Sequence, residues 1–427
     1  MKKYIIFLLP IFLYATSFND LIKSVDNNLL VKSKQEQTKA LKKMLKAKKA
    51  KNSPFIDLQL NATRLYDTPM AGGFGPNLLT IGTKTNLDAS LGITYPLFTG
   101  YAITKSIQKA KLEFIKSKLE TKELKRKLYL KIASLYSAIY SSNKALIASN
   151  DAKKAIEDSY KKAKGLYANG LINISNLYKI EAQKYEILST IQSYKEQKNS
   201  YINDLIYLTK KRTDVKSLPY INISTNINLL QNRALNNRAD INALKIQLKI
   251  DKKDIALAKS KRYPQIALFG AIKRQGDNLN LNGNGFTNAD QSYIGATLKY
   301  NIFDGGEKRS ERQASRAKRN ATVLYFADYK RAVIKNIKNA ILRLDSLNFR
   351  LKTSMKQVEA SKSYYKLTSG RFDNSIASGD ELSRAIANLA TKRAKKQNIK
   401  AKIFLQICKI NLLVGSDYFM KSISNTK

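Results

Sequence analysis

The 427-residue chain carries 77 Lys and Arg against 32 Asp and Glu, a formal net charge of +45, with no histidine, no tryptophan and one cysteine, Cys408. This excludes an intrachain disulfide framework, cysteine-rich metal sites, imidazole ligands and Ser-His-Asp or Cys-His chemistry. Only 7 prolines and 18 glycines punctuate the chain, which implies long uninterrupted elements.

In chain order, a basic start (Met1-Lys2-Lys3-Tyr4) leads into the apolar run Ile5 to Tyr14 and the small residues Ala15-Thr16-Ser17. That is the order of a secretory signal peptide over 1–17, too short to span a bilayer. No cysteine follows the apolar run, so no lipoprotein attachment is expected. No later stretch is apolar enough for a membrane helix. An exported chain does not normally meet nucleic acid, so the charge reads as solvated helix faces rather than a phosphate-binding surface.

The rest divides into two copies of one unit, 18–219 and 220–415, followed by a short polar tail, 416–427. The segment 93–114 returns at 298–319: Tyr95 corresponds to Tyr300, Phe98 to Phe303 and Gly100 to Gly305, each 205 residues apart. The same spacing takes Tyr167 to Phe372 and Leu177 to Leu382, whereas Pro54 reaches Pro264 at 210. A constant offset interrupted once, in a loop, is the mark of a tandem duplication. Each copy reads as helix, strand pair, very long helix, turn and long helix.

The strands are expected at 54–62 and 87–98, and again at 264–272 and 291–303. Ile56, Leu58, Leu60 and Ala62 alternate with polar residues, as do Leu87, Ala89, Leu91, Ile93, Tyr95 and Leu97. Period two gives one apolar and one polar face, which fits either a half-buried soluble sheet or a barrel with a lipid face and a wet lumen. Phe269 interrupts the pattern in the third strand. The connections 63–86 and 273–290 are rich in Gly, Asn and Asp. Four strands cannot close a barrel, and open edges are forbidden in lipid, so a membrane sheet requires oligomerisation; three chains would supply twelve strands.

From Tyr101 to Lys164 no proline or glycine occurs, about 64 residues or roughly 96 Å of helix. Ile132, Leu135, Tyr136, Ile139 and Tyr140 make a coiled-coil-like stripe within it. Helices this long should pack laterally into a tube or bundle.

Together these residues resemble the TolC-type outer-membrane efflux proteins, the outer-membrane factors. The most specific stretch is 234–268, where Arg238, Asp240, Ala258, Lys259 and Pro264 fit the family pattern and Ala239 replaces its usual proline. The junctions Tyr95–Gly100 and Tyr300–Gly306 fit, as do the turns 166–177 and 371–382, with Ser375 where the family has glycine. The resemblance covers roughly 20–415. It implies a mainly α fold: a homotrimeric α-helical barrel in the periplasm, capped by a twelve-stranded outer-membrane β-barrel. It further implies a passive exit duct of a tripartite efflux or type I secretion system in a Gram-negative bacterium. Its partners would be a periplasmic adaptor, an inner-membrane pump of the RND, ABC or MFS type and outer-membrane lipid, with no cofactor and no nucleic acid.

By the same resemblance the two turns close the tunnel and meet the adaptor. Tyr167, Asn169, Gly170, Asn173, Ser175 and Asn176 are the first-copy candidates; Phe372, Asp373, Ser378, Gly379, Asp380 and Glu381 are the second. Asp380 or Glu381, repeated about an axis, would make an acidic ring, although Ser, Asp and Glu also cap helices. Tyr95, Phe98, Tyr300 and Phe303 sit at strand ends, as aromatic girdle residues do, and Gly100 and Gly305 read as turn residues. Cys408 falls in an apolar run and is expected to be a buried, inert thiol. Two other classes fit the chain less well. A periplasmic adaptor should carry one hairpin between split lipoyl-like halves, and a basic coiled-coil binder should lack both the signal segment and the alternating strands. No catalytic constellation is visible.

Overall fold

The computed structural model describes residues 17–72, 78–80, 82–277 and 289–424. The signal peptide predicted over 1–17 lies almost entirely outside them. The chain forms two compact units, one made of residues up to Gln35, Leu119–Asn242 and Ala327 onward, the other of Glu36–Lys118 and Ala243–Phe326.

The second unit holds the sheet. Strands β1 (Phe55–Arg64), β4 (Thr85–Phe98), β5 (Gln265–Gly276) and β6 (Ala289–Lys299) pair antiparallel in the order β1-β4-β5-β6. Within the connection expected to be a plain loop, β2 (Met70–Gly72) and β3 (Leu78–Thr80) form a short ribbon. The register sets Leu58 opposite Leu91 and Leu91 opposite Ile272, and Leu268 opposite Ala296, so all four strands share one apolar face. Ile56, Leu58 and Leu60 on it are 67–70% exposed, too much apolar surface for water. Asp57, Gln59, Ser90, Lys273 and Gln291 point the other way. Phe269 belongs to that polar face: its ring lies over Gly295, where a Cβ would come within 2.8 Å of Cζ, and meets Tyr293 edge-on at 6.0 Å. The break in alternation is therefore an aromatic covering a glycine across the ladder. Pro96, which cannot donate to the ladder, sits at a register shift in β4.

Strand β6 stops at Lys299, short of the expected 303, because its last partner, Gln265, is the first residue of β5. Among the described residues the outer edges of β1 and β6 have no strand partner.

The first unit is helical. It begins with α1 (Phe18–Lys23), capped by the Ser17 hydroxyl, which accepts from the Asp20 amide. Helix α2 (Leu29–Ala50) leads into the other unit, and α3 (Ala102–Ala168) returns from it. After α4 (Ile174–Thr209), α5 (Ile227–Asn237) and α6 (Ala239–Ser260), the long helix recurs as α7 (Glu307–Asp373) and its return as α8 (Gly379–Val414). Helices α3 and α7 are each 67 residues long, and α4 and α8 are each 36. The expected stripe on α3 is buried, with Ile132 and Ile139 wholly enclosed. It packs with Phe18, whose ring meets Tyr136 at 4.9 Å and Phe404 at 5.3 Å.

The tail read as polar begins with a helix, α9 (Ser416–Ser424). Its Phe419 is fully enclosed and Ile423 nearly so, in the same cluster as Phe18 and Leu412. One aromatic of this kind contributes about 2 kcal/mol of burial. Two apolar residues four apart in so short a segment are too weak a period to declare it.

Candidate functional site at the hairpin tips

Both long hairpins turn through the same backbone motif. At the end of α3 the Gly170 amide donates to the Tyr167 carbonyl at 2.9 Å and the Leu171 amide to the Leu166 carbonyl at 2.9 Å. At the end of α7, Ser375 donates to Phe372 at 2.9 Å and Ile376 to Arg371 at 2.8 Å. These are Schellman closures, and they need a left-handed residue at the fifth position. Gly170 has φ +70° and Ser375 φ +57°. Serine thus adopts the glycine conformation, so the departure from the family residue leaves the turn geometry unchanged. Asn169 and Asn374 reinforce the closures, their amides donating to the Gly165 and Gly370 carbonyls at 3.0 and 2.8 Å.

The next helix is then capped in each copy. Asn173 Oδ1 accepts from the Ser175 amide at 2.9 Å, and Ser378 Oγ accepts from the Glu381 amide at 3.2 Å. Without such caps four amides would be left open at each start.

The two tips touch. The Gly379 amide donates to Asn176 Oδ1 at 3.1 Å, and a Cβ on Gly379 would fall 2.7 Å from the Asn176 carbonyl oxygen. Only glycine permits this approach. Beneath it lies a core of Ile156, Ile180, Phe372, Leu382 and Ile386. Phe372 is 1% exposed and holds that core rather than offering a surface, whereas its counterpart Tyr167 is 42% exposed. Asp373 pairs with Lys162 at 2.8 Å, and Asp380 with Arg384 at 2.9 Å. Those pairings leave Glu381 as the exposed carboxylate of its turn.

Residues that sequence reasoning passed over are the exposed apolar ones. Leu171 and Ile376 occupy equivalent positions, one residue beyond the left-handed corner, and are 60% and 67% exposed. Ile376 joins Leu367, Gly370, Arg371 and Asn374 along a shallow groove. The 205-residue spacing could have found the pair.

A second polar cluster lies deep in the helical unit. Arg238, 4% exposed, donates to both Asp240 carboxylate oxygens and, through Nη1, to the Leu413 carbonyl at 3.1 Å. Asp240 also accepts from Tyr329 Oη at 2.7 Å and from the Ile241 amide at 2.7 Å. Arg126 reaches the adjacent Leu412 carbonyl at 3.4 Å. Two arginines thus satisfy carbonyls left open at the end of α8. Burial alone would raise the Asp240 pKa; the bonds and charge of Arg238, with those from Tyr329 and Ile241, outweigh it and hold it to about 2. Burial, then the neighbouring carboxylate, pushes Tyr329 up to about 12. This cluster is structural: its polar groups are spent on bonds within the protein.

At the strand–helix junctions Phe98, Tyr101 and Tyr263 form an edge-to-face triangle with centroids 5.4–6.5 Å apart. Gly100 (φ +60°) lies so close to the Ser260 carbonyl that a Cβ would sit 2.4 Å from it. Tyr95 is 37% exposed, Tyr300 53% and Phe303 86%, and a Cβ on Gly305 (φ +62°) would meet nothing within 4 Å. Among the described residues no cluster of carboxylates and thiols could hold a metal.

Residues 230–412 match the family model for outer membrane efflux proteins. Over nearly its whole length it has the fold of the TolC-like outer-membrane factors. The Campylobacter jejuni CmeC outer membrane channel superposes with a TM-score of 0.80 at 16% identity, covering 93% of this chain and 85% of that one. The outer membrane protein VceC from Vibrio cholerae gives 0.77 at 16%, covering 93% and 96%. The open state of the Neisseria gonorrhoeae MtrE outer membrane channel gives 0.73 at 15%, covering 94% and 89%. No curated protein matches the chain.

Proposed function

We propose that this outer-membrane-factor chain is the passive exit duct of a tripartite efflux or type I secretion system. Three copies would close a twelve-stranded barrel in the outer membrane above a periplasmic helical tunnel. The chain would be exported by its signal peptide without lipid attachment. The hairpin tips would dock a periplasmic adaptor and, through it, an inner-membrane pump of the RND, ABC or MFS type. The observation that carries this reading is the four-stranded sheet, with a broad exposed apolar face and, among the described residues, no strand paired at either edge. In lipid such edges must find strands, and a symmetric ring of copies supplies them.

The two halves, read as copies of one unit, fix how the ring should close. Strand β4 maps onto β6 at an offset of 205 and β5 onto β1 at 210. Applied to the β4–β5 register, these offsets set Ala296 of one copy opposite Ala62 of the next, and Leu298 opposite Leu60. Both pairs lie on the apolar face. Oxidation of a double variant, Ala62→Cys with Ala296→Cys, should give covalent trimers from outer membranes. Crosslinking only in a slipped pair, Ala62→Cys with Thr297→Cys, would overturn the register, and crosslinking in neither would overturn closure by edge pairing. For docking, photocrosslinking from Asn173 in living cells should capture a periplasmic adaptor; capture of cytoplasmic proteins would refute the export reading.

A further inference from the structure

At one end of the sheet all four strands meet helices: β1 begins and β5 begins there, and β4 and β6 end there. The aromatic triangle of Phe98, Tyr101 and Tyr263 marks that end, as aromatics mark a membrane–water boundary. Immediately before β1, the last turns of α2 carry Lys42, Lys43, Lys46, Lys48 and Lys49, and Lys51 follows in the turn, with no acidic residue between Lys39 and Asp57. No residue from Ala40 to Lys51 is buried.

Some other lysines of the same unit have carboxylate partners. Lys109 pairs with Asp254 at 2.6 Å and Lys261 with Glu311 at 2.6 Å. Among the described residues, these six make no ion pair. The opposite end of the sheet is neutralised: Lys273 meets Asp88 at 3.4 Å and Arg274 meets Asp290 at 2.8 Å. The unit is therefore electrostatically lopsided along the strand direction. Lys42 is eight residues from the end of α2, so the group occupies about 12 Å of helix below the sheet. The polar headgroup layer beyond the hydrocarbon is about 5–8 Å deep on each side. Flexible lysine stems reach back toward such a boundary.

We infer that the end of α2 is a docking surface for anionic phospholipid headgroups in the membrane leaflet next to the helices. The inference rests on the proposal that the sheet spans a membrane. Phosphodiester groups supply the negative charge that the protein withholds there. Each lysine near such a surface contributes about 1 kcal/mol of attraction at moderate salt, enough for six to bias which lipids surround the protein and to fix the depth of the sheet.

The test uses the full-length protein in phosphatidylcholine bilayers containing traces of spin-labelled phosphatidylglycerol or spin-labelled phosphatidylcholine. The motionally restricted spectral component reports lipid held at the protein. Phosphatidylglycerol should be favoured at least about threefold at low ionic strength. The preference should approach one at about 0.5 M salt, where the Debye length is a few ångströms. It should also approach one when Lys42, Lys43, Lys46, Lys48, Lys49 and Lys51 are all changed to Gln. A control changing Lys161, Lys164, Lys179, Lys195, Lys352 and Lys362 to Gln, all exposed on the hairpins, should keep it. Equal preference in wild type and the α2 variant, or equal loss in both variants, would overturn the inference while the restricted phosphatidylcholine signal still shows a spanning sheet. No restricted component with either lipid would overturn the membrane reading and the inference together.

Discussion

The Arg238–Asp240 pair offers the sharpest energetic test, because its charge is buried and its partners span α5 to α8. In Asp240→Asn the side chain keeps its shape but loses its charge, leaving the guanidinium at 4% exposure without a counterion. The carboxylate pKa is lowered from 3.8 to about 2, equivalent to about 2 kcal/mol between its protonation states. Breaking a buried pair from one side typically costs about 3–5 kcal/mol. Asparagine can still accept one bond from Arg238 or Tyr329, so the expected loss at pH 7 is about 2–4 kcal/mol. The sign follows from the lowered pKa. The contribution is complete above the unfolded value near 4 and disappears as pH falls through about 2. The variant and wild type should therefore converge on acidification. Urea titration of far-ultraviolet ellipticity on the full chain in detergent, at pH 7 and near pH 2, measures both quantities. A difference below about 0.5 kcal/mol at pH 7, or one that stays constant down to pH 2, would refute the electrostatic account.

The remaining predictions concern the tips and the core. Gly170→Ala should cost about 1 kcal/mol, since alanine must enter a left-handed conformation with no other obstacle. Ser375→Gly should gain up to about 1 kcal/mol by relieving the same strain; urea midpoints moving the opposite way would contradict the turn geometry. Gly379→Ala should cost about 1–3 kcal/mol by forcing the hairpins apart at Asn176, read as faster amide exchange across both tips. Unchanged exchange would mean that the two tips do not seal one another. Burial pushes the Cys408 thiol up, out of reach of ordinary thiolate chemistry, so maleimide should label it only on unfolding.

What the sequence disclosed and what it concealed divide along physical lines. Strand alternation, the long proline-free spans and the 205-residue spacing are local or periodic signals, and they locate the sheet, α3, α7 and both turns. Concealed were contacts between elements far apart in sequence. Nothing near Asp240 announces Tyr329, 89 residues away, or the Leu413 carbonyl, 175 residues from Arg238. Ser375 illustrates another limit. Its identity argues against a left-handed corner, yet the hydrogen bonds on either side and the packing of Phe372 impose one. Among the tip candidates Phe372 and Tyr167 stand equal by position alone, because a matched position carries no information on which copy faces inward.

The unequal surroundings of the two junction glycines also bear on assembly. Gly100 and Gly305 share a left-handed backbone, at φ +60° and +62°, but a Cβ on Gly100 would strike the Ser260 carbonyl while one on Gly305 would meet nothing. At the 210-residue offset the counterpart of Ser260 is Ala50, at the end of α2. If copies close into a ring with β6 beside the next β1, the Ala50 carbonyl of that next copy arrives where Ser260 sits against Gly100. Gly305→Ala should then block trimer formation, while Gly170→Ala, with the same backbone strain but far along the chain from the strand edges, should leave it intact. Crosslinked or native electrophoresis of outer-membrane extracts distinguishes the two. Trimers of normal yield from Gly305→Ala would mean that the second junction is not packed like the first, and that the edges are satisfied by some other arrangement.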